Sequence, residues 1–177
     1  MAGVTMEQRG SSSRAGFTLI DLMVTLTVIV VVAAMVIPRF RDDTRLRLIA
    51  ASHVLASDIE LAQTLTIANP VDPTVVRFKP GTGEYWLAYA DTPDDPIDRA
   101  DVPGGYRVVF GQGEAASAAG VTIAVTDIGD DTLAFNAQGG IEDLTAEPIV
   151  SLHLGPRWIK LAISPTTGTI TESSDAD

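Results

Sequence analysis

Residues 16–37 read GFTLIDLMVTLTVIVVVAAMVI, a run in which Asp21 is the only charge. Valine and isoleucine dominate it. In water so many β-branched residues weaken a helix, whereas in lipid every backbone N–H and C=O needs a partner within the segment, and helix supplies one. The 21 residues from Phe17 to Ile37 would span roughly 30 Å at about 1.5 Å each, the thickness of a bilayer's hydrocarbon core. The expectation is a transmembrane helix over 17–37, closed by Pro38. Residues 1–16 (MAGVTMEQRGSSSRAG) are small, polar and weakly basic, and read as a leader. An ordinary secretory signal fits poorly: the run is long for its apolar core, and no A-x-A-type cleavage site precedes Pro38. A plain signal anchor and a leader removed ahead of a retained helix are the other two readings.

The residues that separate them are Gly16, Phe17, Thr18, Leu19, Ile20 and Asp21. An acid inside an apolar run costs roughly 2.5–3.5 kcal/mol at a bilayer's centre and less near its end. Thr18 and Asp21 have the spacing of a capping box, and a carboxylate suits the first turn of a helix. Beyond this local role, Gly16-Phe17-Thr18-Leu19-Ile20-Asp21 resembles the processing site of type IV prepilins and type II secretion pseudopilins. The resemblance implies that prepilin peptidase cuts after Gly16 and methylates the new amine of Phe17. It also implies that Asp21 pairs with the Phe17 amine of a neighbouring subunit as pilin or pseudopilin subunits assemble. The family usually has Glu where this chain has Asp21, one methylene shorter. By the same resemblance the protein would be a single-pass inner-membrane protein with a periplasmic globular domain, later joining a pilus or pseudopilus. The flanking cations point the other way. Arg9 and Arg14 precede the run, Arg39, Arg41, Arg45 and Arg47 follow it, and positive charge favours the cytoplasmic side. The processing motif is given precedence.

Past Pro38 a helix is expected over 38–68, continuing the first. Leu48, Leu55, Ile59, Ala62 and Leu65 fall on one face, with Arg45, Ser52, Asp58, Glu60 and Gln63 over much of the rest. Asn69, Pro70 and Pro73 end it. From Thr74 the pattern is strand and turn, with strands expected at 75–78, 85–90, 106–110, 121–125, 132–136, 149–154, 158–163 and 169–171. Short connections imply antiparallel pairing. The fold class expected is therefore α+β and pilin-like: a long N-terminal helix packed through its second half on an antiparallel sheet. The β-rich domain would occupy 69–171, and 172–177 (ESSDAD) would be a polar tail.

Within the pilin-like group the chain resembles the GspH/FimT minor pseudopilins. The residues concerned are the helix stretch 55–63, the Tyr85-Trp86 strand, the Phe135-to-Gly139 stretch, and a late strand running from Trp158 into a turn at Gly168. That resemblance implies a minor subunit of a type II secretion pseudopilus. The alternatives are a minor pilin of a type IV pilus or competence system, or a non-polymerising, membrane-tethered ligand-binding domain.

Charge and motif content narrow the other classes. From Ile49 to Asp177 there are 19 Asp+Glu against 6 Lys+Arg, a net charge of −13, so a nucleic-acid partner is not expected. No cysteine is present, which removes disulfides and thiolate chemistry. No hydrolase elbow, zinc-protease or phosphate-loop pattern occurs. His53 and His153 read as packed or surface residues, so neither an enzyme nor a cofactor or metal is expected. The segment DTPDDPIDRAD, with Asp91, Asp94, Asp95, Asp98 and Asp101, reads as a solvated loop. Calcium is the alternative there, but the spacing is not that of an EF-hand, and Pro93 and Pro96 break a compact ligand loop.

Overall fold

The computed structural model describes residues 18–36, 43–98, 104–142 and 146–175. The chain divides into two units, Met1–Arg41 and Asp42–Asp177. In the first, α1 runs from Leu19 to Val36, and every described side chain along it, from Leu19 to Ala33, is exposed.

This helix corrects the membrane expectation. Among the described residues no helix is long and apolar enough to cross a membrane, which overturns the single-pass inner-membrane placement. Helix α1 has 18 residues, a rise of about 27 Å. Thr18 stands outside it as a cap, and Asp21 occupies its first turn.

In the second unit, α2 spans Asp43–Ala68. Its buried stripe is Leu48, Ala51, Leu55, Ile59 and Ala62, each at most 1% exposed, steps of three and four that keep one face inward. The stripe ends differently from expectation. Leu65 is 38% exposed and Thr66 is buried instead, because four residues beyond Ala62 continue the face better than three. Thr66 Oγ1 donates to the Thr74 carbonyl at 2.9 Å and accepts from the Thr74 amide at 3.0 Å. One hydroxyl thus ties the helix to the first strand. Asn69 N still bonds Leu65 O, after which Pro70 and Pro73 supply no amide to continue the ladder.

The strands form two antiparallel sheets where one was expected. The first has order β3-β2-β1-β6, with β4 also on β2: β1 is Thr74–Lys79, β2 Glu84–Tyr89, β3 Thr92–Pro96, β4 Arg107–Val109 and β6 Thr132–Ala134. β3 and β4 share one edge of β2, β4 opposite Glu84 to Trp86 and β3 opposite Ala88 and Tyr89. The second sheet has order β5-β7-β8-β9, with β5 at Thr122–Thr126, β7 at Ile149–Leu154, β8 at Arg157–Ile163 and β9 at Ile170–Ser174. The β1–β2 turn joins the sheets: Gly81 N donates to Ile123 O, and Ile123 N to Thr82 O.

Two further expectations change. The acidic segment is not an open loop, since Thr92–Pro96 is strand β3. Residues 172–174 are not tail but the end of β9, with Glu172 opposite Leu161. Helix α2 packs on β1 of one sheet and on β7 and β8 of the other. The core lies between them, with Leu55 and Ile59 from the helix meeting Phe78, Tyr85, Leu152 and Leu161 in one cluster.

Candidate functional site

At the start of α1, Thr18 and Asp21 form the expected capping box. The Thr18 amide and hydroxyl both donate to Asp21 Oδ2, at 3.1 and 2.9 Å, and the Asp21 amide donates back to Thr18 Oγ1 at 3.3 Å. Two amide donors that have no partner at a helix start are thereby satisfied, with a negative charge at the positive end of the helix dipole. Gly16 and Phe17, the cleavage and methylation positions, lie outside the described residues. Downstream, Thr25 and Thr27 fold their hydroxyls back onto the carbonyls of Asp21 and Met23, which hides their polarity against the helix. The outward surface from Leu22 onward is therefore apolar all round, with Leu22, Val24, Leu26, Val28 and Val30 each at least 55% exposed.

In the second unit the sequence reading missed a buried acid. Asp58 is only 7% exposed, and its carboxylate accepts the Tyr85 hydroxyl at Oδ2 and the Tyr106 hydroxyl at Oδ1, both at 2.6 Å. Such short O–H···O⁻ bonds are charge-assisted and strong. Tyr85 comes from β2 and Tyr106 precedes β4, so Asp58 ties two segments of the first sheet to α2. One signal was available: Ala51, Leu55, Asp58 and Ala62 lie four, three and four apart, so Asp58 shares the buried face.

Burial, then the charge of Asp58, push the Tyr85 phenol far above the ordinary tyrosine range. The consequence for stability has a definite sign. Below about pH 10 the phenol is neutral folded or unfolded. Above it the unfolded chain ionises while the folded one stays protonated, so stability falls as pH rises, by about 1.4 kcal/mol per unit. Urea unfolding from pH 9 upward is expected to show this slope, and Tyr85→Phe to make it shallower by up to one proton. An unchanged slope in the variant would place the proton elsewhere.

A second junction joins two of the four stretches on which the family resemblance rests. Gln63 Nε2 donates to Gly139 O at 2.6 Å and to Thr167 O at 2.9 Å, so one amide on α2 holds both the turn after Phe135 and the turn before Gly168. Asn136 closes the first of these, its Oδ1 accepting from the amides of Gln138 and Gly140. Gly168 has φ +67°, and a Cβ there would run into Gly139 O and the Gln63 amide.

On the opposite face of β2 from Tyr85, Trp86 donates its indole N–H to Pro93 O at 2.9 Å, with the Arg107 guanidinium 5.0 Å from its ring centre. Glu84 accepts Lys79 at 2.8 Å and Arg107 at 2.6 Å. The Lys79 ammonium, more than Arg107, holds its carboxyl below the usual carboxylate range. In the acidic segment, Asp94 lies 3.6 Å from Arg77 Nε, and Asp101 is outside the described residues. Among those residues no three Asp, Glu or His side chains converge as metal ligands. His53 is exposed and His153 half-buried.

No protein-family model, curated protein or solved structure matches this chain.

Proposed function

We propose that this chain is a minor-pseudopilin-like subunit of a type II secretion fibre. In this reading prepilin peptidase cuts after Gly16, Phe17 is methylated, and α1 packs among the equivalent helices of other subunits. The observation that carries it is the surface of α1, apolar around its whole circumference from Leu22 onward and exposed at every described position to Ala33. Uncovered apolar surface of this extent marks an interaction site, and packing in a bundle of like helices would cover it on all sides. The second unit, braced through Asp58 and Gln63, serves as a rigid body presented by that helix.

Asp21 then has two roles to be told apart: capping its own helix, and pairing with the Phe17 amine of a neighbouring subunit. Thr18→Ala removes the capping hydroxyl, with its bonds to the Asp21 carboxylate and amide, and leaves the carboxylate, whereas Asp21→Ala removes both functions. Asp21→Ala is expected to be processed normally yet to stay out of fibres, while Thr18→Ala still enters them. Incorporation of Asp21→Ala at the normal level would refute the pairing role; equal failure of both variants would reduce it to capping.

A further inference from the structure

Every sheet edge is a row of backbone groups able to pair with another chain unless something blunts it. Most edges here are blunted. β3 carries Pro93 and Pro96 and a register shift at Ala88/Tyr89. β4 is three residues long. β6 is equally short, and its outer side is taken where Glu142 N bonds Ala134 O and Asn136 N bonds Gly140 O. On β5, Ile123 has both backbone groups bonded to the β1–β2 turn.

β9 has none of these protections. Its five residues, ITESS, pair in unbroken register with β8, contain no proline or lysine, and are exposed from Thr171 to Ser174. No described strand lies on its outer side. The ladder fixes which groups face out. Ser164 N bonds Thr169 O at one end and Asp175 N bonds Trp158 O at the other. With alternation between bonded and non-bonded pairs, Thr171 and Ser173 bond inward to β8. The N–H and C=O of Ile170, Glu172 and Ser174 therefore point outward.

We infer that the outer edge of β9 is a docking site for an extended segment of another protein chain that places a lysine or arginine opposite Glu172. Charge selects this occupant over a second copy of the chain. Two β9 strands paired antiparallel about their centres would set Glu172 against Glu172, and like charges directly opposite are unfavourable. The net charge of −13 over residues 49–177 adds to that repulsion between copies. Backbone bonds at three outward residues would supply affinity, and the cross-strand charge pair would supply selectivity. The inference rests on the second sheet alone and stands whether or not α1 builds a fibre.

Hydrogen exchange on the full chain tests it, with a short blocked peptide of alternating threonine and valine carrying a central lysine as the probe. The peptide is expected to slow exchange at Ile170, Glu172 and Ser174 by at least about tenfold, leaving the already bonded Thr171 and Ser173 amides unchanged. Glu172→Pro removes one outward N–H and none of the inward ones, a placement that edge strands tolerate, and should abolish the protection. Ser174→Pro is the second variant should the first disturb β9. Glu172→Lys should reverse the preference toward a central-glutamate peptide by up to about fivefold. Absence of alternating protection, protection that persists in both proline variants, or protection that grows with protein concentration without peptide would each overturn the inference.

Discussion

Gly168→Ala is expected to remove about 3–5 kcal/mol of stability, a large part of the roughly 5–15 kcal/mol that a domain has. Two costs add at this position. The backbone is left-handed, with φ +67°, which an L side chain adopts at about 1–2 kcal/mol. The new methyl also meets the Gly139 carbonyl, a backbone atom, and the Gln63 amide. Relief requires parting the two turns that Gln63 holds together, with loss of its bonds to Gly139 and Thr167. Gly81→Ala is the matched control: φ there is +79°, with nothing within 4 Å of the added carbon, so it bears the backbone cost alone. Urea denaturation of the three proteins checks this. Equal losses at Gly168 and Gly81 would show that the junction does not depend on close packing.

Asp58→Ala should cost a similar amount, about 3–5 kcal/mol, since it strips two charge-assisted bonds and strands the hydroxyl of Tyr85 in the core. Tyr85 is fully buried, so its hydroxyl has no water to turn to. The diagnostic is a rescue. Removing the hydroxyls as well, with Tyr85→Phe and Tyr106→Phe in the Asp58→Ala background, takes away the two groups that lost their acceptor and should recover part of the loss. A triple variant less stable than Asp58→Ala would mean that the hydroxyls have other buried partners and that Asp58 is not the centre of the cluster.

These two sites show where the sequence was legible and where it was not. Strand β7 was read to its exact ends at Ile149–Leu154, because its apolar content and bounding turns are local signals. Asp58 and Gln63 were placed on the polar face because a carboxylate or amide on a helix ordinarily seeks water. Their partners lie 27 and 48 residues away for Asp58, and 76 and 104 away for Gln63, so helical periodicity could place Asp58 on the buried face but could not name what either side chain meets. β3 was hidden by Pro93 and Pro96, which act as breakers within a sheet yet are tolerated at its edge. The start of β9 was expected at 169–171, but its end over 172–174 was hidden by its polarity, since an exposed edge strand with so little burial looks like a tail. That the strands divide into two sheets was not legible either, because strand patterns give pairing tendency and not ladder order. At the N-terminus the capping box was read correctly from three-residue spacing. The membrane span expected over 17–37 is overturned, since among the described residues no helix is long and apolar enough to cross a membrane.

The central claim, a subunit made by prepilin-type processing, rests on Gly16 and Phe17, and the mass of the mature N-terminus tests it most directly. Intact-mass and N-terminal peptide analysis of the protein from its native source should find a chain that begins at Phe17 and carries one methyl group on its amine. A chain that retains Met1, or one cut after residue 37, would contradict it.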